Sequence, residues 1–247
     1  MADQKSTVMK SQTWLRTLGF YNPPLAIDGG WGAGSVKALN DLINSTLDPS
    51  KPLGVNKLAW GVKFGPAETA RLKQMITNLR WPAAALQWIM GCMAFESARS
   101  FSPSIQNSIM ATGLIQFIPA TAIVYFYTAA QIKVMSADQK KAAGLDSVNR
   151  LAKMTVLQQL DYVEKYFTPY AGKVNSIASL YMCILWPVAA DKPDDFVLWT
   201  KEKQPTAYSQ NGGLDMNLDG TITKAECAHI VVNHLIEGFI GDNVKQY

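Results

Sequence analysis

The chain has 247 residues, of which 48% are hydrophobic and 17% charged, enough for one substantial core and one or two small satellites. Its net charge is +4, and although Lys51, Lys57, Lys63, Arg71, Lys73 and Arg80 gather against Glu68 alone, no aromatic-interleaved basic stripe accompanies them. A nucleic-acid reader is therefore not expected, and the basic cluster reads either as a solvated face or as a surface for an anionic polymer.

The N-terminus, MADQKSTVMKSQTW, lacks the apolar core of a secretory signal, so synthesis in the cytoplasm without ordinary export is expected. Two amphipathic helical patterns come next, from Val8 to Leu18 and from Gly34 to Ile43, joined by the turn-rich loop FYNPPLAIDGGWGAG. They predict a small helical unit over residues 1–50. LDPSKPLG, with two prolines, a glycine and charges, reads as a linker and places a boundary near Asp48 to Gly54.

Residues 51–200 read as almost wholly helical, with stretches at 66–79, 82–97, 118–132, 137–144, 155–167 and 174–186, and no sustained strand alternation. Pro82 suits a first helical turn, and Leu86, Ile89, Met90 and Met93 recur at helical spacing up to Glu96. No charged residue occurs from Ser100 to Ile132, yet Ser102, Pro103, Gln106, Asn107, Gly113, Gln116 and Pro119 interrupt the run. Its apolar pieces are too short to cross a bilayer, and a buried core is predicted instead. Cys92, Cys183 and Cys227 lie far apart in apolar or helical settings and read as buried free thiols.

Over residues 201–247, DMNLDGTITKAE has the spacing of an EF-hand calcium loop. Asp215, Asn217 and Asp219 offer side-chain oxygens, Gly220 the sharp turn, Thr221 a carbonyl and Glu226 two carboxylate oxygens, with Ile222 as apolar anchor. Lys224 to Phe239 is patterned as the exiting helix, whereas EKQPTAYSQNGG on the entering side looks like a poor helix. One such loop alone predicts a single, structural calcium site rather than a paired sensor. His229 and His234, five apart, do not share a face and are not expected to be ligands.

On position alone, Glu96 is a carboxylate closing an apolar helix, which reads as an exposed helix end. The residues after it change that reading. Glu96-Ser97, Phe101-Ser102-Pro103 and Gly113-Leu114-Ile115-Gln116-Phe117-Ile118-Pro119-Ala120-Thr121-Ala122 together resemble the active-site segment of soluble lytic transglycosylases and goose-type lysozymes. The resemblance implies an all-α, lysozyme-like catalytic domain that cleaves the β-1,4 bond between MurNAc and GlcNAc in peptidoglycan. Glu96 would be the acid and base, with Ser97, Gly113 and Gln116 at the substrate. Glycosidic cleavage requires an acid still protonated near neutrality, and Met90, Met93 and Phe95 are placed to desolvate Glu96, with Arg99 able to oppose them.

Standard glycosidases employ a second carboxylate, yet Ser97 to Ala137 contains no Asp or Glu. Asp161 and Glu164 sit in QQLDYVEKYF, which reads as an exposed helix face, the alternative being that the fold brings one of them to Glu96. A lone acid suits the lytic transglycosylase route, giving 1,6-anhydro ends. A hydrolytic lysozyme and a catalytically inactive, calcium-stabilised wall-binding or structural protein remain as alternatives. In SLYMCILWP, Tyr181 fits the family's Tyr-Asn pair whereas Met182 replaces the Asn. Tyr181 is either a substrate contact or a core residue.

The N-terminal unit resembles the three-helix peptidoglycan-binding domain through Leu18-Gly19-Phe20, Asp28-Gly29-Gly30-Trp31-Gly32 and Ser35. That resemblance implies wall contact through Asp28 and Trp31, the alternative being a structural cap with Trp31 in its core. The expected partner is bacterial peptidoglycan, reached as a monomer without stable membrane insertion. Delivery by phage lysis or by a secretion system, with an immunity protein in the latter case, would bring the protein to the periplasm and cell wall.

Overall fold

The computed structural model describes residues 2–47 and 56–247, with side chains from Lys5 onward. The predicted boundary at Asp48 to Gly54, and Lys51 of the basic cluster, lie outside the described residues. The fold is mainly helical: α1 (Ala2–Thr17) and α2 (Ala33–Ser45), then strand β1 (Lys57–Leu58), then α3 (Pro66–Asn78), α4 (Ala85–Glu96), α5 (Pro119–Ala122), α6 (Ala129–Val134), α7 (Ala137–Ala152), α8 (Val156–Phe167) and α9 (Ile177–Leu185). Strand β2 (Val197–Thr200), α10 (Pro205–Asn211), β3 (Thr221–Thr223), α11 (Lys224–Glu237) and β4 (Lys245–Gln246) complete it.

Helix α4 is the axis. Every residue from Ala85 to Ala94 is buried, as expected of a helix apolar on all sides. It is flanked by α3, α9 and α11. The crossing with α11 is close because Gly91 has no side chain: a Cβ there would lie 2.8 Å from the Leu235 Cβ and 3.0 Å from the Val231 carbonyl oxygen. The core runs continuously from Leu15 in α1 through α4 to Phe239 beyond α11. Among the described residues no helix is long and apolar enough to cross a membrane. The three cysteines are buried free thiols, as their settings predict.

Three features depart from the periodicity reading, the first being that the helix expected over 137–144 runs on to Ala152 as α7. The expected helix over 118–132 is broken into α5, a 3₁₀ turn and α6, because the Thr128 hydroxyl accepts the Gln131 amide and the Gln131 side chain accepts the Thr128 amide. That capping box starts a new helix after the β-branched and aromatic run Ile123–Tyr127. The segment before the acidic loop does form a helix, α10, opened by Pro205 in its first turn where a missing N–H costs nothing.

The few strands are short and pair over long sequence distances. Lys57 and Leu58 of β1 lie antiparallel to Gln246 and Lys245 of β4, returning the C-terminus to the central segment. Likewise Trp199 and Thr200 of β2 face Ile222 and Thr221 of β3. The basic cluster is also less free than its composition suggests: Arg71 binds Asp161 at 2.7 Å and Glu164 at 2.5 Å, and the Lys73 ammonium lies 3.9 Å from the centre of the Tyr247 ring.

Candidate active site at Glu96 and the acidic C-terminal loop

Glu96 ends α4 at a sharp turn. The Ser97 hydroxyl donates to the Met93 carbonyl at 2.6 Å and accepts the Phe101 amide at 2.9 Å, so buried Ser97 pins the chain as it leaves the helix. The next residues, Ala98 and Arg99, take left-handed φ values of 48° and 67°, unusual for side-chain-bearing residues. Glu96 is thereby held at a helix C-terminus, where the macrodipole disfavours negative charge. Its carboxyl is half-buried and, through that burial, pushed up to about 8 from an ordinary 4.5. Met90 and Met93 are fully buried in the same helix, and Phe95 packs on Tyr181 with ring centres 5.9 Å apart. Among the described residues no hydrogen bond or ion pair reaches the Glu96 carboxylate.

Arg99 does not oppose this. It turns to α11, where its Nε lies 3.0 Å and 2.9 Å from the two Glu237 carboxylate oxygens and its Nη2 lies 2.9 Å from one of them. Asp161 and Glu164 are likewise engaged elsewhere: both hold Arg71, and Glu164 accepts the Asn78 amide at 2.8 Å. The charged bridge therefore ties α8 to α3, and burial raises the Glu96 carboxyl.

Farther along the chain, Thr112 and Phe117 exchange backbone hydrogen bonds of 3.0 Å and 2.9 Å, closing a tight loop around Gly113 to Gln116. Gly113 has φ +80°, and a Cβ on it would sit 2.2 Å from the Gln159 side-chain oxygen. The close approach it permits is to Gln159 of α8. That buried side chain accepts the Leu114 amide at 2.8 Å and donates to the Pro103 and Leu151 carbonyls at 3.1 Å and 3.0 Å. Replacing Gly113 by Ala should cost about 2–4 kcal/mol of stability, since it adds backbone strain and dislodges a buried hydrogen-bond hub. Denaturant unfolding of the variant checks this, and a change below about 0.5 kcal/mol would refute it. Gln116, with φ 52°, donates to the Gly113 carbonyl at 3.2 Å and is partly exposed.

Tyr181 is buried on α9, and its hydroxyl is pushed well above its usual value, first by burial and then by the Glu96 charge. Met182, the residue after Tyr181, is wholly in the core. Tyr166, not singled out by motif, has its hydroxyl pushed up, first by burial, and donates to the Cys183 carbonyl at 2.8 Å. It begins an aromatic wall: its ring meets Phe117 at 5.9 Å, Phe117 meets Tyr125 at 5.9 Å, and Tyr125 meets Tyr162 at 5.6 Å. The sequence signal for this wall is the spacing of Tyr162 and Tyr166, one helical turn apart on α8.

In the N-terminal unit Asp28 accepts the Gly30 amide at 2.8 Å and the Gln12 amide at 3.1 Å; the Gly30 contact first, then Gln12, holds its carboxyl below the usual range. Trp31 is half-buried, its ring edge against His229 of α11 at 4.6 Å. His229 is buried with both ring nitrogens lacking a hydrogen-bond partner, and burial pushes it down to about 4, so it stays neutral. His234 points elsewhere, with its ring 5.4 Å from Phe95.

The acidic loop lies between α10 and α11. Asp215 is fully buried. One of its oxygens accepts the Tyr208 hydroxyl at 2.6 Å and the Gly220 amide at 2.9 Å, while the other, Oδ1, is buried with no hydrogen-bond partner. Asn217 accepts the Asp219 amide at 3.0 Å, and Asp219 accepts the Thr221 amide at 2.8 Å. Glu226 caps α11, accepting the Thr223 hydroxyl at 2.7 Å and the Met216 amide at 3.2 Å. Gly220, at φ +82°, makes the turn, and Ile222 is wholly buried. Among the described residues no three acidic, His or Cys side chains converge as a metal cluster. The orphaned Asp215 oxygen and an all-oxygen donor set nonetheless fit a hard divalent cation such as calcium, held by Asp215, Asn217, Asp219, the Thr221 carbonyl and Glu226.

Against these observations, comparison of the chain with protein-family models, with curated proteins and with solved structures returned no match.

Proposed function

We propose that this protein cleaves peptidoglycan glycan strands between MurNAc and GlcNAc as a lytic transglycosylase, with Glu96 as both acid and base. The observation that carries the reading is a single carboxyl, raised to about 8 by burial, with neither Arg99, Asp161 nor Glu164 engaged with it. A neutral Glu96 donates its proton to the glycosidic oxygen as the C1–O bond breaks. The resulting carboxylate then takes the proton of the C6 hydroxyl while O6 bonds to C1 of the same sugar, so the acid is regenerated and no water is consumed. Tyr181 packs on Phe95 beside Glu96, and the partly exposed rings of Tyr125, Tyr162 and Tyr166 are aromatic faces of the kind that sugars stack on. The acidic loop is read as one structural calcium site, the calcium supplying charge neutralisation for Asp215 and its neighbours.

The mass of the muropeptides released from purified sacculi tests the route. Anhydro products, lighter by one water than hydrolytic ones, are expected; hydrated products would make the protein a lysozyme. Asp161→Asn should digest sacculi within about twofold of the unaltered protein, because the carboxylate it removes serves Arg71 on a partly exposed surface. A loss of catalysis in the range typical of a missing general base, about a hundredfold or more, would instead make Asp161 the missing second carboxylate.

A further inference from the structure

The two units meet along α11, and a polar cleft of about 430 Å³ remains where they join. From α1 it is lined by Lys10 and Trp14, and from the other side by Arg99, His234 and Glu237. Buried Ser11 hydrogen-bonds Asn233 at its base, joining α1 to α11. Trp31, expected from its motif to touch the wall, packs on His229, so the indole that this unit presents to a cavity is Trp14.

The lining has the chemistry of an acidic-sugar site. The Lys10 ammonium, on an exposed side chain, lies 4.5 Å from the centre of the Trp14 ring. Arg99 keeps 46% of its side chain exposed while Glu237 fixes its Nε and Nη2, leaving Nη1 without a partner among the described residues. A guanidinium held in this way loses little freedom on binding a carboxylate. His234 directs Nδ1 at the Ile230 carbonyl, 2.7 Å away, so Nδ1 carries the proton and Nε2 is left as an acceptor, the role a sugar hydroxyl donor requires. Two cations against one carboxylate leave the cleft net positive. Arg99 and His234 also connect it to the catalytic turn, since Arg99 is three residues beyond Glu96 and His234 packs on Phe95.

We infer that this cleft is a subsite for a carboxylate-bearing stretch of the glycan strand cleaved at Glu96, with Lys10 and Arg99 binding the carboxylate and Trp14 stacking on a sugar. The inference rests on the proposed peptidoglycan cleavage. It makes the N-terminal unit part of the substrate site rather than a separate anchor. The carboxylate has two sources in that polymer, the lactyl group of the sugar and the peptide stem.

Calorimetric titration of the full chain carrying Glu96→Gln, which prevents turnover, distinguishes them with three probes: a neutral chitooligosaccharide, a peptide-free MurNAc-containing oligosaccharide and a peptide-bearing muropeptide. Lys10→Gln and Arg99→Gln should each weaken binding of a carboxylate probe about tenfold, with the neutral probe unchanged. Loss on both carboxylate probes assigns the lactyl group, and loss on the muropeptide alone assigns the stem. Wild-type affinity in the Lys10→Gln chain, whose exposed position poses no folding problem, would overturn the subsite. If sacculi are digested while these affinities stay unchanged, the subsite falls and the catalytic reading stands. If Lys10-dependent binding occurs without digestion, the reverse holds.

Discussion

Glu96→Gln will reduce muropeptide release from purified sacculi by about 10²–10⁴-fold, the range expected for a lost general acid and base, and at alkaline pH it will also make the protein more stable. The second effect arises from burial. In the fold the carboxyl titrates near 8, whereas in the unfolded chain it titrates near its ordinary 4.5. Between these values the folded chain binds more protons than the unfolded chain, so stability falls as pH rises through that window and levels off above it. Glutamine has nothing to ionise and escapes the decline. The stability gain of the variant should therefore be negligible near pH 4 and reach on the order of 5 kcal/mol above pH 8. Melting curves at about pH 5 and about pH 9 read it directly, and a gain of equal size at both would contradict the raised carboxyl. The same titration predicts that activity of the unaltered protein declines above about 8, as Glu96 loses the proton that the proposed route requires. Unimpaired digestion by the variant would remove Glu96 from the chemistry altogether.

Much of the helical layout can be read in the chain because apolar residues recur at helical spacing, and the Glu96-Ser97 turn and Gly113 can be located by their motif. Three buried glutamines cannot. Gln12 ties α1 to the Gly29 and Gly30 backbone, Gln87 joins α4 to Ala59 and Lys57, and Gln159 anchors the Gly113 loop. Each is a polar residue on an otherwise apolar stripe, such as Gln159 with Leu160, Val163 and Phe167 on α8. The periodicity marks such a position as buried but does not say which backbone groups it serves. Arg99 is opaque for a different reason: its partner Glu237 lies 138 residues downstream, so only the packing of α11 along α4 decides that the guanidinium leaves Glu96 unopposed. The β1 to β4 pairing shows the same limit, since two-residue strands carry no alternation to read.

Calcium added to the full chain should raise its melting temperature by about 5–10 °C at a hundredfold excess over the dissociation constant, and Asp215→Ala should abolish the response. The expectation starts from one atom. Asp215 Oδ1 is buried without a hydrogen-bond partner, a costly state for a carboxylate oxygen that a hard cation relieves. Glu226 belongs to the same loop and also caps α11, so order in the loop extends into that helix. Farther along, α11 places Leu235 against Gly91 of α4, and Glu237 holds Arg99 beside the turn that follows Glu96. A stabilised loop therefore steadies the scaffold under Glu96 without touching the proton transfers proposed for it. Chelation should lower the melting temperature while changing the rate of sacculus digestion near 25 °C by less than about twofold, because the helix stays folded there in either state. A calcium titration showing no heat and no melting shift would eliminate the site. A digestion rate that collapses on chelation well below the melting temperature would instead make the loop a regulator, acting through the contact of α11 with α4.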